Sequence, residues 1–208
     1  MDTFCTIITS GYVQKAIVLY YSVKALNNDT SLCILIADNE PLPTAIPDDE
    51  GIKIDRVDAL AGYSVVKELY KKYAHINFDN FRWSLKPVYA SFLLQSGYDN
   101  LIYVDCDMFF VNNYSFLFDH LDNDDILLTP NWNNTNPLDN QSAFLSNFTS
   151  GMFSAGFFGV NKNALDAMDW WANACHFMMG EHIEEGVNDD QRYLDMFPVL
   201  FEKTKITK

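Results

Sequence analysis

The chain has 208 residues, 49% of them hydrophobic and 15% aromatic, with a formal net charge of −14. That apolar content suffices for a core, and one domain over residues 1–208 is expected. The acidic balance excludes nucleic acid and anionic membrane surfaces as partners, because both select Lys/Arg patches.

Residues 4–9 are apolar and β-branched and predict a buried first strand, ending at Thr9-Ser10-Gly11. Residues 13–26 have helical spacing, 31–37 read as a second strand ending at Asp38, and Pro41, Pro43 and Pro47 make a loop. Residues 51–57 alternate and predict a third strand, followed by a helix over 65–74. Strands buried on both faces and alternating with helices predict an α/β fold with a mostly parallel central sheet flanked by helices. A helix over 87–96 is signalled by Pro87 in its first turn and Gly97 just past its end. A strand over 100–104, a short helix over 115–121 and a strand over 126–129 follow. Residues 130–150 are rich in Asn, Ser and Thr and read as a long loop. Residues 153–160 return to an apolar register around Gly156 and Gly159. Helices over 164–179 and from Asp189 to about Phe197 complete the prediction.

The pentad Tyr103-Val104-Asp105-Cys106-Asp107 places two carboxylates at the end of a buried strand. A buried charge is costly unless it is paired or holds a metal. A divalent cation clamping a phosphate-bearing substrate accounts for both. A second Asp-x-Asp, Asp122-Asn123-Asp124, lies in a polar stretch and reads as a solvated turn. In open α/β sheets ligands bind at the carboxyl ends of strands, where Thr9, Asp38, Asp105 and Asp107 all fall.

Several segments stand in a suggestive order: Thr9-Ser10-Gly11-Tyr12, Ser84-Leu85-Lys86-Pro87, Asp105-Cys106-Asp107, Ser154-Ala155-Gly156 and Asp189-Asp190-Gln191. Together they resemble the nucleotide-diphospho-sugar transferase (GT-A) fold, and most of all glycosyltransferase family 8. The resemblance implies that Asp105 and Asp107 hold Mn²⁺ or Mg²⁺ and that the Cys106 backbone contacts the nucleotide. It also implies that Thr9 and Tyr12 line the nucleotide pocket. Lys86 would reach the donor phosphates or sugar, and Ser154, Ala155 and Gly156 would contact the donor sugar. Asp190 would bind sugar hydroxyls or acceptor, and Gln191 would lie below the anomeric carbon. The implied reaction is retaining transfer of a sugar from a UDP-sugar to a glycan, lipid-linked or protein acceptor. Residues 132–148 are the candidate acceptor-side loop.

One departure stands out. The family's His-x-x-Gly-x-x-Lys-Pro-Trp motif, which supplies a third metal ligand, is absent, and His75, His120, His176 and His182 do not replace it. Two other readings stay open: a catalytically silent nucleotide-sugar-binding protein, and a haloacid-dehalogenase-type phosphohydrolase. No basic leader with a long apolar run occurs, and no transmembrane segment is expected. Four dispersed cysteines without a Cys-x-x-Cys pair predict reduced thiols in a cytoplasmic protein.

Overall fold

The computed structural model describes residues 1–42, 46–131 and 133–207, so that Pro43 and Trp132 lie outside the described residues. Its strands are β1 (Asp2–Ile8), β2 (Leu32–Ile36), β3 (Ile52–Arg56), β4 (Asn100–Val104), β5 (Ile126–Pro130), β6 (Phe153–Asn161), β7 (Glu181–His182), β8 (Val187–Asn188) and β9 (Thr204–Ile206). Seven of them form one sheet in the order β3-β2-β1-β4-β6-β5-β9, and β7 and β8 form a separate hairpin. Within the large sheet β6 runs antiparallel to β4 and β5, and the other pairings are parallel. The α/β class and the mostly parallel sheet agree with the sequence pattern.

Alternate strand residues feed two cores. Cys5, Ile7, Cys33, Leu35, Leu101 and Tyr103 face one side, where they pack with α2 (Ser64–Tyr73), α3 (Phe78–Gln95) and α6 (Leu165–Phe177). Phe4, Ile8, Ile34, Ile36, Ile102 and Val104 face the other, with α1 (Val13–Lys24) and α4 (Ser115–Leu121). This period of two, apolar on both faces, is why β1, β2 and β4 read as continuous hydrophobic runs. Each fully buried Leu or Phe side chain contributes about 1.5–3 kcal/mol.

Three expectations need correction. The helix expected to begin at Pro87 is the second half of α3, which starts at Phe78. Its N-cap is Asn77, whose side chain accepts from the Asp79 N–H at 3.1 Å. Pro87 sits inside the helix and lacks the N–H that would bond the Trp83 carbonyl. The helix tolerates this because Phe81, Leu85, Val88, Tyr89 and Leu93 are all buried along it. Its end is as predicted: Gly97 takes φ 106°, a left-handed value that glycine adopts without steric cost.

The segment 130–150 is not all loop. It contains α5 (Gln141–Thr149), capped by Asn140, whose side chain accepts from the Ala143 N–H at 3.0 Å. The expected helix from Asp189 is a 3-10 turn, Gln191–Met196, followed by a short α7 (Phe197–Leu200) with Pro198 in its first turn. No described helix is long and apolar enough to cross a membrane.

A candidate donor cleft at the carboxyl edge of the sheet

The antiparallel course of β6 builds the site. Its amino-terminal end arrives where β1 and β4 finish, with Phe157 opposite Val104. The Asp105 N–H donates to the Gly156 carbonyl at 2.8 Å, which docks the Ser154-Ala155-Gly156 segment against Asp105-Cys106-Asp107.

Three cavities meet along this edge, one of them a groove beside Lys15 and Asp107, and the other two hold the residues of interest. The first of these two, of about 310 Å³, is lined by Thr9, Tyr12, Asp79, Arg82, Trp83, Asp105, Cys106 and Asp107, among others. The other, of about 400 Å³, is lined by Lys86, Ser154, Ala155, Gly156, Asn188, Asp189, Asp190 and Gln191 together with Trp83, Asp105 and Asp107. Trp83, Asp105 and Asp107 belong to both, so the two carboxylates stand at the junction of one divided cleft.

All eleven residues singled out in the sequence line one cavity or the other. Asp38 does not. Its carboxylate accepts from the Ser10 N–H at 2.9 Å and the Ser10 hydroxyl at 3.1 Å, tying the ends of β1 and β2 together.

Lys86 departs from its expected setting. It lies mid-helix, 4% exposed, and its Nζ is 2.8 Å from Asp190 Oδ2, itself on a residue 4% exposed. The contact is a buried ion pair. Burial pulls the Lys86 value down, but Asp190 and Asp105 outweigh it and the net shift is upward, so the ammonium keeps its proton. Burial also pushes the Asp190 carboxyl up, against the pull of Lys86. Both directions follow from one ammonium shared by two carboxylates in a dry setting. Asp190 offers no side-chain cap to the following turn, so capping does not explain it. Its backbone is fixed instead by the Trp171 indole N–H, which donates to the Asp190 carbonyl at 2.9 Å. Asp189 before it takes φ 49°, a left-handed conformation that Asp tolerates better than most residues.

Around Asp105, the buried Tyr103 hydroxyl donates to Oδ1 at 2.9 Å. Burial and then the Asp105 charge push the Tyr103 phenol well up, so it stays a donor. Asp105 Oδ2 faces Gly156, where an added Cβ would lie 2.5 Å from it. Neither this oxygen nor either Asp107 oxygen accepts a hydrogen bond among the described residues. The Cys106 thiol is pushed up, first by burial and then by Asp107 and Asp105, which makes it a poor nucleophile. Gln191 is held at both ends: Oε1 accepts from the Ala155 N–H at 3.2 Å and Nε2 donates to the Ser150 carbonyl at 2.8 Å.

Asp79, Arg82, Trp83 and Asn188 line the cleft without having been singled out, and Asp189, quoted with its segment but given no role, lines it too. Asp79, Arg82, Trp83 and Lys86 follow the i, i+3, i+4, i+7 spacing of one helix face. That signal is visible only when the helix is started before Pro87. Among the described residues no three His, Cys, Asp or Glu side chains converge as a metal site.

No protein-family model matches this chain. A Bacillus subtilis (strain 168) protein described as uncharacterized protein YfnF is 23% identical over 209 residues, covering 96% of this chain. The chain spans 66% of that relative's length. Among solved structures, the galactosyltransferase LgtC in complex with donor and acceptor sugar analogues matches with a TM-score of 0.61 at 15% identity. That match covers 100% of this chain and 73% of LgtC. Mouse xyloside xylosyltransferase 1 matches with a TM-score of 0.57 at 13% identity, covering 100% and 85%. The mannosyltransferase Ktr4p from S. cerevisiae matches at 0.60 and 10%, covering 99% and 68%. The strand order, the carboxylates at the end of β4 and these three likenesses identify the chain's fold as that of the GT-A nucleotide-diphospho-sugar transferases.

Proposed function

We propose that this chain is a metal-dependent glycosyltransferase that moves a hexose from a UDP-sugar to a glycan, lipid-linked or protein acceptor, with retention. The observation that carries this reading is the junction of the two cavities at Asp105 and Asp107. The nucleotide would occupy the Thr9, Tyr12 and Cys106 side. The sugar would occupy the side of Lys86, Ser154, Ala155, Gly156, Asp190 and Gln191. The diphosphate would cross between the two carboxylates.

The residues present fit a divalent cation. Asp105 Oδ2 and the Asp107 oxygens are hard donors with no competing hydrogen bond. A Mg²⁺-type site commonly takes one or two carboxylates and completes its shell with substrate phosphates and water. The absence of a third ligand from the described residues is therefore compatible with Mn²⁺ or Mg²⁺. When bound, such an ion offsets the diphosphate charge and stabilises it as it departs. The need is electrostatic: among the described residues five carboxylates but two cations line the cleft, and both cations are already ion-paired, Lys86 with Asp190 and Arg82 with Asp79. A bare diphosphate would be repelled.

The remaining residues orient the donor. The Lys86–Asp190 pair presents a charged, rigid wall to the sugar, and Gln191 holds the start of β6 in place. With Asp190 paired and the Gln191 amide bonded at both ends, neither is a ready nucleophile. That supports front-face attack: the acceptor oxygen bonds to the anomeric carbon as the carbon–phosphate oxygen bond breaks, and the acceptor proton passes to the departing phosphate. Orienting the two reactants supplies much of the rate. The test is a panel of UDP-sugars incubated with Mn²⁺, following UDP release and product anomer. Activity undiminished by chelator would remove the metal from the reading.

A further inference from the structure

We infer that Arg82 is the diphosphate-recognising cation of this chain, positioned by Asp79 and Trp83. This rests on the donor reading above. Arg82 is the only Lys or Arg among the described residues lining the cavity that holds Thr9, Tyr12 and Cys106. The other cation of the cleft, Lys86, is buried and paired with Asp190. Arg82 is also ion-paired, with Asp79, but its partner is exposed and the pair is not buried. Its Nε and one Nη2 proton donate to Asp79 Oδ1, at 3.1 and 2.9 Å, which leaves three N–H groups. The guanidinium carbon lies 5.6 Å from the Trp83 ring centroid. Asp79 at i−3 and Trp83 at i+1 thus fix the plane of the fork. A guanidinium fork matches two phosphate oxygens at once, whereas an ammonium acts as a point charge. Arg82 lines this cavity together with Asp105, Cys106 and Asp107, which places it beside the carboxylate junction.

Lys15 is the rival. It sits 4.7 Å from the Tyr12 ring centroid, outside the residues lining this cavity, and borders a neighbouring groove with Val18, Phe109, Cys106 and Asp107.

The experiment is calorimetric titration of the full chain, in Mn²⁺, with UDP and with UMP. For Arg82→Gln we expect UDP affinity to fall at least tenfold, UMP affinity to change less than threefold, and Arg82→Lys to recover part of the loss. UMP binding in the same variant reports that the pocket is folded. An unchanged UDP affinity in Arg82→Gln overturns the assignment. So does an equal loss of UDP and UMP, or a tenfold UDP loss in Lys15→Gln with none in Arg82→Gln. If the unaltered chain binds neither nucleotide with Mn²⁺, the donor reading fails first and takes this inference with it.

Discussion

Gly156 and Asp105 share one space: the Asp105 carboxylate occupies the position that a side chain at residue 156 would need. The two residues also share a backbone hydrogen bond, so neither can retreat without opening the β4–β6 junction. Gly156→Ala should therefore act on Asp105. Small-to-large changes in packed sites cost about 1–3 kcal/mol. The expected result is a stability loss in that range by chemical denaturation, and Mn²⁺-dependent UDP binding weakened more than tenfold in calorimetry.

Asp107 gives the opposite pattern. It is exposed and has no hydrogen-bond or ion-pair partner among the described residues. Asp107→Ala should leave stability within about 0.5 kcal/mol of the unaltered chain, as for other unpartnered surface positions. Sugar transfer and UDP binding in Mn²⁺ should both be abolished. Wild-type turnover by this variant would contradict the proposed ligand role.

The Lys86–Asp190 pair should show the asymmetry of buried ions. Lys86→Met leaves Asp190 buried and unpaired, at a cost of about 3–5 kcal/mol. Replacing both partners, as in Lys86→Met with Asp190→Leu, should restore most of that stability, because a well-packed apolar pair often equals a buried ion pair. Transfer activity should stay absent in the double variant. Denaturation curves for the two single variants and the double variant decide the matter.

Acid stability should depend on Asp49, far from the cleft. Lys24 Nζ, the Tyr20 hydroxyl and the Gly51 N–H all donate to its carboxylate, anchoring α1 to the turn before β3. These partners, Lys24 first, lower its value from 3.8 to about 2. A depressed folded value means that the contribution is complete above 3.8 and is lost as pH falls toward 2. Thermal midpoints of Asp49→Asn should decline less through that window than those of the unaltered chain, because Asp99 and Glu68, also held down by their partners, still titrate.

The sheet was legible wherever strands were buried on both faces, because β1, β2 and β4 announce themselves as unbroken apolar runs. The junction at Asp105 and Asp107 was legible for the same reason, since charges stand out at the end of such a run. The partner of Lys86 was not. Asp190 reaches it through tertiary packing, and no local spacing links the two. Pro87 misled directly: its rule for helix starts is a local preference, and the packing of Phe81 and Leu85 overrides it. Asn77, a good N-cap ten residues earlier, was the better signal. The helix α5 was hidden because it buries nothing and so carries little apolar periodicity.

Arg82 and Lys86 are carried on one helix, a single turn apart, and that makes α3 a ruler. At 1.5 Å per residue, Asp79 and Lys86 are spaced by about 10 Å along the axis, and the two cations by about 6 Å. The two halves of the cleft, which the proposed reading gives to nucleotide and sugar, therefore cannot be respaced independently. Inserting one residue between positions 82 and 86 would rotate everything after it by about 100°, carrying one cation off the cleft while the other stayed. Length changes in this stretch should be far less tolerable than substitutions.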